Sequence, residues 1–246
     1  MGEGDLKHQG SAHFEPARGA SSAPAGLYLI TADSPNTAWL LAATRAALSV
    51  AVDAASQPAA LGRVMWLQYR NKCAAHSVRR EQARELRELT QAMQVRLLIN
   101  DDIDLAVAVG ADGVHLGRDD ASMALARERL GQGAVVGASA YGELGRAQQA
   151  WRLGAGYVAF GSLFASAVKP QAPRCPLMRL GQARREGLHT VGIGGIDASN
   201  IAQVARSGAH AAALISAVYD AACPQQATMQ LLTAFIHGAS QYDAKA

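Results

Sequence analysis

Acidic side chains stand at the ends of short apolar runs in this chain. The run Leu97–Ile99 is followed at once by Asn100 and Asp101, and the run that ends at Leu116 is followed four residues later by Asp120. Magnesium in proteins usually takes one or two carboxylates, with water and phosphate oxygens completing its shell. Asp101 and Asp120 are therefore candidate ligands for Mg²⁺.

Another apolar run carries basic and amide side chains at alternate positions, namely Gln68, Arg70 and Lys72. Alternate residues of a strand face the same side, so these three side chains are expected to share one face and one end of a strand. Cations beside hard oxygen ligands suit a phosphate chain bound with Mg²⁺. Further polar groups that follow apolar runs are Ser139, Ser166, Lys169 and Ser216.

Each candidate also has a purely structural interpretation. Asp101 and Asp120 could cap the helices that follow them, and Arg70 and Lys72 could be surface charges. His115 lies within an apolar run and could be a core histidine without a catalytic role. The neighbouring acids Asp102 and Asp119 are interpreted as solvated or capping residues.

Eight apolar runs alternate with eight amphipathic segments from residue 26 onward. The apolar runs are LYLIT, VMWLQYR, VRLLIN, GVHLG, AVVGAS, YVAFG, TVGIGG and AALIS. The helical segments are predicted at 37–54, 78–93, 103–109, 122–130, 143–153, 177–186, 198–207 and 219–236, because their apolar residues recur at helical spacing. Most runs are continuously hydrophobic, which is typical of parallel strands covered on both faces.

Eight strand–helix pairs predict an α/β fold, a single (β/α)₈ TIM barrel. An open doubly wound sheet is the alternative, and the lack of a GxGxxG motif after the first strand favours the barrel. We expect a disordered tail at 1–25, the barrel at 26–237 and a frayed tail at 238–246. Active sites of such barrels lie at the C-terminal ends of the strands, so the polar groups above are expected to meet there.

Composition excludes several classes of function. The net charge is only +3, and the arginines of 79–87 alternate with glutamates as on a solvated helix face, which argues against nucleic-acid binding. No apolar run is long enough for a membrane span. Three distant cysteines, Cys73, Cys175 and Cys223, form neither a disulfide framework nor a zinc motif. A cytoplasmic location is the simplest expectation.

The pattern of motifs resembles the thiamine phosphate synthase family over residues 26–222. Gln68, Arg70 and Lys72 match the family's Gln-x-Arg-x-Lys, and Asn100 with Asp101 match its Asn-Asp. The HLGRDD segment matches His-x-Gly-Gln-x-Asp, with Arg118 where Gln is usual and Asp120 as the second acid of the metal pair. Ser139, the segment Ile193–Ile196 and the closing Ile215-Ser216 match the family's remaining motifs.

The resemblance implies a transferase that joins hydroxymethylpyrimidine diphosphate to hydroxyethylthiazole phosphate, giving thiamine phosphate and diphosphate. Its substrates would be phosphorylated small molecules and its cofactor Mg²⁺, held by Asp101 and Asp120. The residues implied for the pyrimidine diphosphate are Gln68, Arg70, Lys72, Asn100, Ser139 and Lys169, with Arg70, Lys72 and Lys169 stabilising its departure. The residues implied for the thiazole phosphate are Gly195, Ile215 and Ser216.

The loop after the sixth strand departs from the family pattern. Ser166 keeps a hydroxyl where the family has threonine, but Val168 lacks one, and a lost hydrogen bond to a charged group costs about 1.5–3 kcal/mol. Weaker thiazole phosphate binding is expected. The alternatives are a thiazole tautomerase of the same fold, or a barrel that binds thiamine precursors without turnover. Each of these three interpretations is compatible with a homo-oligomer.

Overall fold

The computed structural model describes residues 25–53, 66–117, 120–165, 171 and 173–244. Its eight parallel strands form a closed barrel, which confirms the predicted (β/α)₈ fold. The strands are β1 (Gly26–Ile30), β2 (Trp66–Tyr69), β3 (Arg96–Asn100), β4 (Gly113–Leu116), β5 (Val135–Tyr141), β6 (Tyr157–Phe160), β7 (Thr190–Ile193) and β8 (Ala211–Leu214). The helices are α1 (Thr37–Asp53), α2 (His76–Ala92), α3 (Ile103–Val109), α4 (Asp120–Leu130), α5 (Leu144–Arg152), α6 (Met178–Arg185), α7 (Ile201–Arg206), α8 (Ser216–Tyr219) and α9 (Pro224–Asp243).

Closure of the barrel decides against the open sheet. Each strand pairs in parallel with its sequence neighbours, and β1 also pairs with β8. Tyr28 on β1 has Trp66 as its partner on one side and Ala213 on the other. A doubly wound sheet would leave its edge strands with one neighbour each, so this register identifies a barrel.

The core has two layers because both faces of the strands are buried. Residues that point into the barrel include Tyr28, Trp66 and Tyr157, whose rings meet edge to face at centroid distances of 5.6 to 6.3 Å. Outward residues such as Leu27 and Leu29 pack in the layer beneath the helices. Burial on both sides explains why the strands are continuously apolar in sequence.

The helix predicted at 219–236 is two helices in the structure. Helix α8 ends at Tyr219, and Cys223 is extended (φ −134°, ψ 97°) before α9 begins at Pro224. Proline disfavours helical backbone in the residue before it, and its missing N–H is tolerated at the first helical position. Although α9 has 20 residues, no helix in the described ranges is both long and apolar enough to cross a membrane.

The two predicted tails have different outcomes. Ala25 is exposed, and the rest of the predicted tail at 1–25 lies outside the described residues. The sequence predicts a frayed tail from residue 238, but α9 continues to Asp243. Gly238 lets this helix approach α7 closely, since a Cβ there would lie 2.3 Å from the carbonyl oxygen of Ala202. Tyr242 further on packs beneath the guanidinium of Arg184, at 4.3 Å from the ring centroid.

Candidate active site

The end of β2 presents the Gln-x-Arg-x-Lys residues at different depths. Arg70 is partly exposed just beyond the strand, and Lys72 is exposed in the loop. Gln68 is only 2% exposed, and its Nε2 donates to the Tyr28 hydroxyl at 2.8 Å. Gln68 therefore lies deeper in the barrel than the two cations, on the inward face of β2 beside Tyr28. Two residues of strand place it about 7 Å deeper than Arg70 along the barrel wall.

Asp33, in the loop after β1, contacts both cationic residues. Arg70 Nη1 donates to the two carboxylate oxygens of Asp33 at 3.1 and 3.2 Å. The backbone N–H of Lys72 donates to Asp33 Oδ1 at 2.8 Å. Thr31 joins the same two loops, because its hydroxyl donates to the carbonyl of Arg70 at 2.8 Å and accepts from its N–H at 2.9 Å.

The residue between the two cations anchors the loop. Asn71 is 5% exposed, and its Nδ2 donates to the carbonyl of Ser34 at 2.6 Å and to Gln82 Oε1 at 2.9 Å. Its Oδ1 accepts from the backbone N–H groups of Cys73 and Ala74 at 3.2 and 3.1 Å.

Two adjacent aspartates after the end of β3, Asp101 and Asp102, have different roles. Asp102 caps α3, since its side chain accepts from the N–H of Leu105 at 2.9 Å. Asp101 has a left-handed backbone (φ 60°), and its N–H donates to the carbonyl of His115 at 2.9 Å. Its Oδ2 accepts from Asn100 Nδ2 at 2.8 Å. The capping interpretation of Asp101 is therefore wrong, because Asp102 is the cap. Left-handed backbone in a non-glycine residue is typical of functional sites.

A cavity of about 530 Å³ lies between the ends of β2 and β3. Its polar lining includes Arg70, Lys72, Arg79, Asn100 and Asp101. With Asn71 and Asp102 added, three cations, two amides and two carboxylates surround one space at the C-terminal ends of these strands. The sequence interprets Arg79 as part of a solvated helix face, but α2 begins close enough to this mouth to bring that side chain into the wall.

A chain of hydrogen bonds crosses the interior of the barrel. From Gln68 it passes to Tyr28, from Tyr28 to Tyr157 at 2.7 Å, from Tyr157 to His115 Nδ1 at 2.9 Å and from His115 Nε2 to Ser139 Oγ at 2.9 Å. Burial raises the pKa of both tyrosines, so both remain neutral. The predicted substrate residues Gln68 and Ser139 are therefore joined through the barrel interior.

The histidine in this chain is neutral at physiological pH. Burial lowers the pKa of His115 to about 4, against a smaller opposing effect of the charge on Asp101. If the amide of Gln68 donates to the first tyrosine, each hydroxyl can donate to the next partner in turn, and His115 carries its proton on Nε2. Ser139 then accepts from the histidine, and its own O–H is left to point at a ligand. His115 thus supports the site from the core.

The ends of β7 and β8 contribute backbone and one hydroxyl. Gly195 has φ 63°, and a Cβ at this position would lie 2.2 Å from the carbonyl oxygen of Ala165, so only glycine fits. Ile215 packs against the inner core, and Ser216 is exposed at the start of α8. These residues lie at the same mouth as the cavity, as predicted, since all strands of the barrel are parallel.

Several predicted residues cannot be placed in this geometry. Arg118, Asp119, Ser166, Val168 and Lys169 lie outside the described residues. The same holds for the side chain of Asp120, whose backbone begins α4. The prediction of weaker thiazole phosphate binding through Val168 stays a prediction.

The described donor atoms fit a magnesium ion in part. Within the described ranges, no three His, Cys, Asp or Glu side chains form a ligand cluster. Mg²⁺ needs only one or two protein carboxylates, and Asp101 brings hard oxygen atoms to the cavity beside Asn100. Asp120 follows the end of β4, which pairs with β3 at Asn100 and His115. The chain order therefore brings both acids to neighbouring strand ends.

Sequence reasoning missed three contributors to the site. Asp33 follows β1 as Asp101 follows β3, so applying the strand-end rule to the first strand would have found it. Tyr28 and Tyr157 have the sequence context of ordinary core aromatics, and nothing in that context shows that their hydroxyl groups meet inside the barrel.

Comparison with known proteins agrees with this architecture. A family model described as thiamine monophosphate synthase matches residues 27–218. The thiamine-phosphate synthase of Xylella fastidiosa is 41% identical over 203 residues, which are 82% of this chain and 81% of that protein. The thiamine-phosphate synthase of Bordetella pertussis is 43% identical over 219 residues, covering 86% of this chain and 95% of that protein.

A solved structure gives the same answer for the fold. The thiamine phosphate pyrophosphorylase of Pyrococcus furiosus superimposes with a TM-score of 0.72 at 29% sequence identity, covering 88% of this chain and 98% of that one. The resemblance found in the motifs thus extends over the barrel and through its sequence. By the family match, the relatives and the shared barrel together, the chain belongs to the thiamine monophosphate synthase family.

Proposed function

We propose that this protein is a thiamine phosphate synthase, which joins hydroxymethylpyrimidine diphosphate to hydroxyethylthiazole phosphate and releases diphosphate. The observation that supports this most is the meeting of Arg70, Lys72 and Asp101 around one cavity at the mouth of the barrel. Relatives that bear the name thiamine-phosphate synthase align with more than four fifths of the chain.

The cations at the end of β2 would receive the diphosphate. The planar guanidinium of Arg70 can bind two phosphate oxygens at once, while Lys72 supplies a compact point charge. Asn100 adds amide hydrogens at the same wall, and Lys169 is proposed as a further cation from the loop after β6. Gln68 lies below the rim, so it would meet the pyrimidine ring at the inner end of the substrate.

Asp101 and Asp120 would hold Mg²⁺ at the diphosphate. When bound, the ion would offset the negative charge that develops on the leaving group. Arg70 and Lys72 would do the same from the other side of the cavity, with donors already oriented before the reaction. Asp101 keeps its carboxylate at the cavity because Asp102, and not Asp101, caps α3.

The proposed reaction needs charge stabilisation more than proton transfer. The bond between the exocyclic methylene carbon and the diphosphate oxygen breaks, and the aminopyrimidine delocalises the positive charge left on carbon. The thiazole nitrogen donates its electron pair to that carbon. This nitrogen bears no proton, so no general base is required.

The thiazole substrate would be held by its phosphate at the ends of β7 and β8. Gly195, Ile215 and Ser216 offer backbone N–H groups and one hydroxyl, and Gly195 allows a close approach because it has no side chain. Ser139 would direct its O–H toward the pyrimidine diphosphate. Phosphorylated small molecules as substrates, a cytoplasmic location and a possible homo-oligomer belong to the same proposal.

Product analysis tests the proposal. The protein, both substrates and Mg²⁺ should yield thiamine phosphate and diphosphate in equal amounts, and a chelator should stop the reaction. Isomerisation of a thiazole carboxylate phosphate without release of diphosphate would identify a tautomerase instead. Tight binding of thiamine phosphate with no product from the mixed substrates would identify a binding protein.

A further inference from the structure

The loop after β1 holds the loop after β2 at several points. Thr31 bonds both backbone groups of Arg70, and the carbonyl of Ser34 accepts from Asn71. Asp33 lies between them in sequence and makes the contacts that involve charge. The position of the two proposed diphosphate-binding cations therefore depends on a segment that itself carries none of the family motifs recognised in the sequence.

A single carboxylate of this segment organises both cations. Asp33 accepts from the side chain of Arg70 with both oxygens, at 3.1 and 3.2 Å, and from the backbone of Lys72 at 2.8 Å. The first contact fixes a side-chain direction, and the second fixes the course of the loop. The guanidinium has further N–H groups on Nε and Nη2 that can bind an anionic oxygen.

The pair is too exposed to serve mainly as a source of stability. The side chains of Arg70 and Asp33 are 19% and 37% exposed, and ion pairs in contact with water contribute little to the free energy of unfolding. Long side chains lose rotamer freedom when they bind a ligand, and a contact that orders them beforehand reduces that loss. The main effect expected of Asp33 is therefore on binding.

We propose that Asp33 is a positioning residue, which orients Arg70 and Lys72 to receive the diphosphate of the pyrimidine substrate. This inference rests on the proposed function. A negative charge beside a diphosphate also repels it. Removal of Asp33 therefore weakens diphosphate binding if orientation of the cations dominates, and strengthens it if repulsion dominates. Orientation prevails here because Asp33 meets water and its charge is screened, whereas its three hydrogen bonds fix the geometry locally.

Steady-state kinetics of Asp33 variants test the inference. Asp33→Ala should raise KM for hydroxymethylpyrimidine diphosphate by about 10-fold or more, since misplaced binding groups cost one to two orders of magnitude. KM for the thiazole phosphate should stay within about twofold. Asp33→Asn should lie between wild type and Asp33→Ala, because its amide oxygen still accepts from the N–H of Lys72. Asp104→Asn is the matched control, since Asp104 is 80% exposed and pairs with Arg129 on the outside of the barrel.

A binding measurement separates this inference from the proposed function. Calorimetric titration with inorganic diphosphate and Mg²⁺ should show weaker binding by Asp33→Ala than by wild type, with thermal midpoints of the two proteins within a few degrees. Unchanged or tighter diphosphate binding would overturn the positioning role. A wild-type protein that binds diphosphate but forms no thiamine phosphate would overturn the proposed function and leave the role of Asp33 tested by binding alone.

Discussion

Adjacent aspartates at the end of β3 differ in role because their backbones differ. Asp102 is extended (φ −88°, ψ 91°) and turns its carboxylate back onto the first turn of α3. Asp101 is left-handed, a conformation that aspartate and asparagine tolerate better than most residues. This turn directs Asp101 into the cavity. A substitution by asparagine therefore removes the charge with little cost to the backbone.

Arg79 is predicted to bind the diphosphate from the α2 side of the cavity. Its guanidinium lies 3.9 Å from Asp102, beside Asp101 and Asn100 in the cavity lining. Arg79→Ala should raise KM for hydroxymethylpyrimidine diphosphate about 5- to 10-fold, equivalent to about 1 kcal/mol for a partly exposed charge contact. Initial-rate kinetics over a range of that substrate would measure the change.

The adjacent residue supplies the control for this variant. Arg80 lies on a different surface of α2, in a shallow depression with Ser77 and Arg84. Arg80→Ala removes the same charge one residue away and should leave KM unchanged. Equal effects of the two variants would show a general influence of net charge and would refute a direct role for Arg79.

At the level of single residues, the sequence predicts which residues belong to the site better than it predicts how deep in the barrel each one lies. Spacing alone selects Arg70, Lys72 and Asp101, and all three line the cavity. It does not show that Gln68 lies deeper than the two cations, because the alternation of side chains defines a face of the strand and not the position at which the strand ends. The partnership of Asp33 with Arg70 spans 37 positions, and no local pattern encodes a contact at that range.

Among the elements, α9 depends on close contact with α7. Gly238 faces the carbonyl of Ala202, and a methyl group would lie 2.3 Å from that oxygen. Gly238→Ala should lower the free energy of unfolding by about 1–3 kcal/mol, the usual cost of overpacking. Urea or thermal unfolding followed by circular dichroism would measure the loss.

A glycine in α5 gives the opposite result in the same assay. A Cβ at Gly145 would meet no atom within 4 Å, so Gly145→Ala should stabilise the protein by about 0.5–1 kcal/mol through helix propensity. A stabilising effect of both substitutions would show that α9 moves away from α7 at little cost, contrary to the packing described here.

At the opposite, N-terminal end of the barrel strands, a half-buried histidine joins β7 and β8. His210 Nδ1 accepts from the N–H of Thr190 at 3.1 Å, and its ring stacks on His189 at 4.0 Å. Burial, together with the smaller effects of the charges on His189 and Arg184, lowers the pKa of His210 to about 3. Protonation would therefore break this junction between strands.

The free energy of unfolding is predicted to decrease as the pH is lowered, because of His210. In the unfolded chain His210 becomes protonated as the pH falls below about 6.5, whereas in the native protein it stays neutral down to about pH 3. The unfolded state therefore binds more protons in this range, and the free energy of unfolding decreases as the pH falls. The contribution reaches at most about 2 kcal/mol by pH 5. His210→Asn keeps an acceptor for Thr190 and should make the pH dependence of unfolding between pH 7 and 5 less steep, while the part due to His115, whose pKa is lowered to about 4, remains. Identical slopes for wild type and variant would contradict this assignment.

Element boundaries were predictable where local chemistry marks them. The sequence predicts α3 at 103–109, and the structure confirms these bounds, because Asp102 caps its start and Gly110 ends it in a left-handed conformation (φ 64°). The start of α9 was predicted wrongly at 219, although Pro224 marks it in the sequence. The length of α9 was not predictable, because Ala239 and Tyr242 are ordered by α7 and Arg184 and not by local sequence.

For the whole molecule, barrel closure is what creates the site. Arg70 and Ser216 are far apart in sequence, yet β1 lies between β2 and β8 and joins their ends at one mouth. The count of eight strand–helix pairs predicted this closure. Side-chain placement in the mouth could not be predicted, since it follows from contacts between loops of different strands.

The carboxylate of Asp101 is the most direct test of the whole account. Asp101→Asn should slow thiamine phosphate formation by about 100-fold at saturating substrates and shift its Mg²⁺ dependence to higher concentration, because the proposed Mg²⁺ site would lose one carboxylate charge. Asp104→Asn, on the outer surface, should match wild type. An Asp101→Asn protein with the wild-type rate and the wild-type Mg²⁺ dependence would contradict a magnesium diphosphate site at the mouth of this barrel.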